Sequence, residues 1–158
     1  MAGKGTPAIA AAERAGIAFT VHEYVHDPTA ESYGLEAAER MEVAPARVFK
    51  TLVVDLDGSL EVAVVPVAAQ LDLRALGGKR SRMAGPRDVE RSTGYVLGGV
   101  SPLGQRRRLP TTVDASALEH ATVFVSAGRR GLELELDPRD LVRLTDACVR
   151  EIARQATD

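Results

Sequence analysis

Residues 50 to 65 read KTLVVDLDGSLEVAVV, and this stretch decides the fold class. Lys50 to Asp55 and Leu60 to Val65 are two runs rich in β-branched residues, separated by Asp57-Gly58. An Asp-Gly pair between such runs is a strong hairpin signal, because a tight two-residue turn needs positive φ at its centre. A β-hairpin is therefore expected near the middle of the chain.

Toward the N-terminus, Thr6-Pro7 supplies a helix cap and first position, and Gly16 a helix stop. They bracket a short alanine-rich helix. Ile17 to Tyr24 alternates like a strand, Ser32 to Met41 has helical composition, and Pro45 opens a further turn. Toward the C-terminus, Asp72 to Leu76 reads as a short helix stopped by Gly77-Gly78, and Pro86 to Ser92 as another. Tyr95 to Val100, Thr111 to Asp114 and Thr122 to Ser126 read as strands. Leu132 to Leu136, LELEL, has strict period two, which puts its leucines inside and its glutamates on the opposite face. Asp137-Pro138 then caps a final helix whose Leu141, Leu144, Cys148 and Ile152 share one stripe, predicting a core position for Cys148. The pattern is α+β: a strand-rich core with peripheral helices, expected as one domain over residues 1–158.

Composition bounds the function. The chain has 158 residues, 45% hydrophobic and 27% charged, with no tryptophan and one cysteine. A domain of this length buries about 68–70% of its unfolded surface. The lone Cys148 cannot form an internal disulfide, and no apolar run reaches membrane-spanning length. A cytoplasmic protein with no membrane partner is expected. Net charge is −2, so the molecule as a whole is no obvious binder of DNA or RNA. Its basic residues are nevertheless bunched, at 79–82, 106–108 and 129–130, and such clusters hold phosphates locally.

His22 to His26, HEYVH, matches the H-E-x-x-H zinc signature. That motif works on a helix, where positions four apart stack. Here the flanks alternate like a strand, along which four residues span about 13 Å, too far for two imidazoles to share a zinc. No metal or other cofactor is expected. Alternation instead puts His22 and Tyr24 on one face, as pocket lining or as a strand edge.

Arg91 to Pro110, RSTGYVLGGVSPLGQRRRLP, combines a glycine pair, a Ser-Pro turn and three arginines. By residue type it is either a cradle for an anionic polar ligand or a surface loop between strands. With TPAIAAAERAGI near the start, HEYVHDP, VFKTLVV, VPVAAQLDL, RLPTTVDA and ATVFVSAGRRGLELEL, it forms an ordered set spanning nearly the whole chain. That set resembles the YbaK/EbsC family of aminoacyl-tRNA deacylases, relatives of the editing domain inserted in bacterial prolyl-tRNA synthetases. The resemblance implies a mixed, barrel-like sheet and a trans-editing hydrolase acting on mischarged aminoacyl-tRNA, nearest the branch for Cys-tRNA(Pro). An alanyl-tRNA(Pro) deacylase and a non-catalytic module binding tRNA or a synthetase are the alternatives. The implied partners are tRNA(Pro) and, through a ternary complex, prolyl-tRNA synthetase, with the chain itself a monomer.

The same resemblance assigns roles. By pattern alone Lys50 is a snorkelling surface lysine; by resemblance it is the family's essential lysine, holding a phosphate or ribose oxygen of the tRNA 3′ end. Thr51 adds a hydroxyl. Amides at Gly98 and Gly99 would stabilise the tetrahedral oxyanion, with Ser101 as a further polar contact, unless the glycines mark only a β-bulge. Ser126 and Glu133 match polar pocket positions, with glutamate where the family carries aspartate. Glu133 equally reads as a solvent-face residue paired with Arg129 or Arg130. No G-x-S-x-G elbow or triad spacing offers a protein nucleophile. The resemblance implies that the substrate's own thiol attacks its carbonyl, with water as the other candidate.

Overall fold

The computed structural model describes residues 5–30 and 32–155. The hairpin forms as the sequence predicts: β2 (Phe49–Leu56) and β3 (Ser59–Pro66) pair antiparallel, with Leu56 opposite Ser59. Asp57 and Gly58 carry φ of 54° and 93°, the positive values such a turn demands. Around it lies a five-stranded mixed sheet in the order β5-β2-β3-β6-β9, adding β5 (Ser81–Met83), β6 (Thr111–Asp114) and β9 (Cys148–Arg150). The β3–β6 and β6–β9 pairs are parallel.

A second, antiparallel sheet has the order β1-β8-β7, from β1 (Phe19–Glu23), β7 (Val123–Arg129) and β8 (Leu132–Leu136). The two sheets share one core, in which Phe49, Val53, Val62, Val64 and Val113 meet Val123, Val125, Leu132, Leu134 and Leu136. A parallel bridge from Val48 to Phe124 joins them at one corner. The opposite face of the hairpin is also covered: Val54, Leu56, Ala63 and Val65 pack with Leu76 and Ile152. Burial on both faces explains why the hairpin strands read as near-continuous apolar runs rather than alternating ones. A small ribbon of β4 (Ala69–Leu71) and β10 (Ala153–Gln155) completes the strands.

Helices lie outside the sheets and start where their caps predict. Thr6 caps α1 (Pro7–Ala15), which ends at Gly16 with φ 69°. Ser32 caps α2 (Tyr33–Met41), Pro86 opens α3 (Pro86–Thr93), and Asp137 caps α4 (Pro138–Thr145). Residues 73–76 form a 3₁₀ turn capped by Asp72.

Two expectations fail. Tyr95 to Val100 is a loop: Gly98 has φ 90°, outside strand geometry, and the Gly99 amide turns back onto the Val96 carbonyl at 3.0 Å. Cys148 is not core. Asp146 takes the left-handed conformation (φ 54°) and ends α4, so the chain reverses into β9, where Cys148 is exposed opposite Thr112. The expected stripe is thereby split, Leu141 entering the main core and Ile152 the second one.

Candidate functional site

The site sits where the two sheets meet. β2 starts just after the turn at Pro45–Arg47, and the Val48 carbonyl accepts the Val67 amide at 2.8 Å. With the bridge to Phe124, this fixes residues 48–51 at the corner between the sheets. Beside them opens a hollow of about 220 Å³ lined by Tyr24, Lys50, Thr51, Gly98, Ser126 and Glu133. Val48, Phe49, Val67 and Val100 supply apolar lining, and Tyr33, Leu97 and Arg130 also border the hollow.

Glu133 occupies the middle strand of the three-stranded sheet, opposite both His22 and Ser126, and is only 8% exposed. Burial pushes its carboxyl up to about 8. Among the described residues it has neither an ion pair nor a hydrogen-bond donor, so the solvent-face pairing with Arg129 or Arg130 is overturned. Arg129 bonds Glu23 at 3.3 Å, and Arg130 donates to the Leu97 carbonyl at 3.1 Å. Lys50, half-buried at the same hollow, has its ammonium held below the ordinary lysine pKa by loss of solvent. It too forms no ion pair among the described residues. The Thr51 hydroxyl is buried without a hydrogen-bond partner among the described residues. Burial and then the nearby Glu133 charge push the Tyr24 phenol up to about 12.

An unpaired cation, an unpaired carboxyl and an unsatisfied hydroxyl around one hollow are costly to the fold, because buried polar groups are ordinarily satisfied. A ligand of complementary charge would supply the missing partners.

The glycine loop is held against this hollow by β7. Ser126 Oγ donates to the Gly99 carbonyl at 3.2 Å and accepts the Gly128 amide at 3.1 Å. It does so at the irregularity of the β7–β8 ladder between Ser126 and Arg129. At Gly98 a Cβ would lie 2.5 Å from Arg130 Nε and 2.9 Å from Tyr33 Cδ2. Only glycine fits that point, which brings bare backbone to the hollow.

The expected residues therefore separate. Tyr24, Lys50, Thr51, Gly98, Ser126 and Glu133 line one hollow. Gly99 does not offer its amide, which is spent on the Val96 carbonyl, and contributes its carbonyl to Ser126 instead. Ser101 lies away from the hollow, fully buried, its hydroxyl accepting the Leu103 amide at 3.2 Å. It closes a local turn and is not a ligand contact. His22 also leaves the hollow: its Nε2 is 2.8 Å from Glu135, while His26 Nδ1 is 2.8 Å from Glu36. The two imidazoles of the H-E-x-x-H string thus serve different carboxylates on different elements.

Sequence reading missed the opening of α2. Tyr33 carries the Arg130 guanidinium 3.8 Å from its ring centre, and Gly34 packs so closely that a Cβ would sit 2.3 Å from Val67 Cγ1. A glycine in the first turn of a helix was the available signal.

The aminoacyl-tRNA editing domain model matches residues 27–144. A relative from Enterococcus faecalis, provisionally named Cys-tRNA(Pro)/Cys-tRNA(Cys) deacylase EbsC, is 38% identical over 120 residues, 73% of each chain. A protein of Bacillus subtilis without an assigned role, YwhH, is 32% identical over 110 residues, covering 67% of this chain and 70% of its own. Among solved structures, one described provisionally as a trans-editing enzyme for prolyl-tRNA synthetase superposes with a TM-score of 0.81. It is 27% identical and covers 95% of this chain and 98% of its own. With the mixed sheet, the corner hollow and the ordered motifs all in place, the chain belongs to the aminoacyl-tRNA editing domain family, in its YbaK/EbsC group.

Proposed function

We propose that this chain is an aminoacyl-tRNA deacylase that clears mischarged tRNA in trans, with Cys-tRNA(Pro) as its preferred substrate. The observation that carries the reading is the meeting of Lys50, Gly98 and Glu133 on one small hollow. It acts in the cytoplasm as a monomer, on tRNA(Pro) released by or held with prolyl-tRNA synthetase.

The three groups match the two charges of the reacting end, the forming oxyanion and the α-ammonium. The ester carbonyl turns its oxygen toward the Gly98 amide and the Lys50 ammonium, which stabilise the oxyanion as it forms. One such donor contributes about 2.7–4 kcal/mol to the transition state. Glu133 faces the α-ammonium of the aminoacyl group. That cation favours the charged carboxylate, so binding draws the raised Glu133 pKa back down and orients the ester. Thr51 hydrogen-bonds the terminal ribose, and Tyr24 borders the side-chain space.

With cysteine as the aminoacyl group, the substrate sulfur attacks its own carbonyl carbon. The S–C bond forms, the ester C–O bond breaks, and the ribose oxygen leaves with the thiol proton. Water then opens the cyclic thioester to free cysteine. The enzyme contributes position and charge, which fits a hollow whose two serine hydroxyls are engaged, Ser126 with Gly99 and Gly128 and Ser32 with the Leu35 amide. A compact hollow also supplies accuracy that a synthetase pocket lacks, since one methylene discriminates by only about 1–3 kcal/mol.

The test is turnover of cysteinyl-, alanyl-, seryl- and prolyl-tRNA(Pro) by purified protein. Cysteinyl ester should be cleared fastest and prolyl ester spared. No turnover of any mischarged ester removes the proposal.

A further inference from the structure

The three basic clusters of the sequence meet different fates in the fold. At 79–82, Asp57 accepts the Lys79 and Arg80 amides and Asp55 pairs with Arg82 at 3.4 Å, so acid and base share one surface. At 129–130, Arg129 pairs with Glu23 and Arg130 stacks on Tyr33. The third cluster is different. The Arg106 and Arg107 amides each donate at 2.9 Å, to the Thr93 and Ser92 carbonyls, and lay their segment against the end of α3. Arg87 and Arg91, one turn apart on that helix, then join Arg106 around one open depression. Arg107 and Arg108 line the adjoining one, which has no acidic lining residue. Across both depressions five arginines face a single glutamate, Glu90. None of the five is ion-paired among the described residues.

We infer that this arginine shelf holds the phosphate backbone of the tRNA acceptor end while the ester occupies the hollow. The inference rests on the proposed deacylase reading and names the surface that reading leaves open. Covalent connection carries it: Gly94 lines the shelf and Gly98 lines the hollow. Four residues of chain span at most about 14 Å, so the shelf lies a few nucleotides from the ester. Guanidinium forks match phosphate oxygens in geometry as well as charge. An acidic protein face would satisfy the charge, but nothing would require it to lie so close to the seat of a tRNA 3′ end.

The experiment compares two substrates, whole Cys-tRNA(Pro) and phosphate-free cysteinyl-adenosine, across a salt series. In Arg91→Ala/Arg106→Ala, KM for whole tRNA should rise about ten-fold with kcat unchanged. Two lost phosphate contacts should flatten the log–log salt slope by roughly 1.4–1.8. Kinetics on cysteinyl-adenosine should stay at the wild-type value. Arg87→Ala/Arg107→Ala should behave likewise, Arg91→Lys/Arg106→Lys should recover most of the affinity, and Lys79→Ala/Arg82→Ala should change nothing. An unaltered KM for whole tRNA, an equal loss on both substrates, or an unaltered slope overturns the shelf. So does a variant that keeps tRNA affinity but no longer binds prolyl-tRNA synthetase, which would make the shelf a protein interface. If wild-type protein cleaves no ester, the deacylase reading falls alone, and binding of uncharged tRNA by the same variants still judges the shelf.

Discussion

The Arg130 guanidinium lies 3.8 Å from the centre of the Tyr33 ring, and from that seat it fills the space a side chain at residue 98 would need. Strands β7 and β8, helix α2 and the glycine loop are thereby locked around one point. Gly98→Ala must displace this stack and also hold φ near 90° with a Cβ, at a cost of about 1–2 kcal/mol. Deacylation should fall at least a hundred-fold while the folded state persists, as read by kcat/KM beside a thermal melt. Wild-type turnover in Gly98→Ala would show that the bare approach of backbone at residue 98 is not needed for the reaction.

Lys50→Ala takes away the ammonium that the proposed mechanism sets against the developing oxyanion. A loss of about 2.7–4 kcal/mol of transition-state stabilisation corresponds to a hundred- to thousand-fold drop in kcat. Because burial lowers the Lys50 pKa, the wild-type rate should decline on the alkaline side earlier than an ordinary lysine would dictate. Lys50→Arg should move that decline to higher pH. A pH–rate profile that is identical in the two proteins would place the essential charge elsewhere.

Glu133 links the site to stability. Its carboxyl is raised from 4.5 to about 8 in the fold, so the folded state binds the proton more tightly than the unfolded chain does. The stabilising contribution is complete below pH 4.5 and is lost as pH climbs toward 8. Glu133→Gln does not titrate and escapes that loss. Its melting temperature should match wild type at pH 4 and exceed it by several degrees at pH 8, while KM for the aminoacyl ester rises about ten-fold. Parallel melting curves across the range would show that the carboxyl is not held neutral.

Cys148 is exposed at the end of the five-stranded sheet, with no place in any of the three core clusters. Cys148→Ser should leave melting temperature and deacylation unchanged. A loss of several degrees would mean that the side chain packs after all.

Features fixed by neighbouring residues were legible in the sequence. The Asp57-Gly58 turn, the Thr6 and Asp137 caps and the proline-led helices need only local stereochemistry, and they stand where expected. The end of α4 was not legible, because a left-handed Asp146 gives no sign that glycine would have given. Tyr95 to Val100 has strand composition, yet its glycine is set by what crowds it from Arg130 and Tyr33, residues distant in the chain. In the site, Lys50, Gly98 and Glu133 came from family resemblance and their convergence from the fold. Ser101 was misassigned because a hydroxyl that caps a buried turn looks, in sequence, like one that meets a ligand.

The pairing of β1 with β8 joins residues 19–23 to 132–136 across most of the chain. Contacts of such long range pay their loop-closure entropy late and slow the search for the native state. A nascent polypeptide that has emerged only through β7 already contains Lys50 and Gly98, but Tyr24 has no strand to dock against and Glu133 has not been made. During synthesis, then, the pocket is among the last parts to be assembled. Ribosome-bound chains halted before residue 132 should be inert toward the very esters that the finished protein clears.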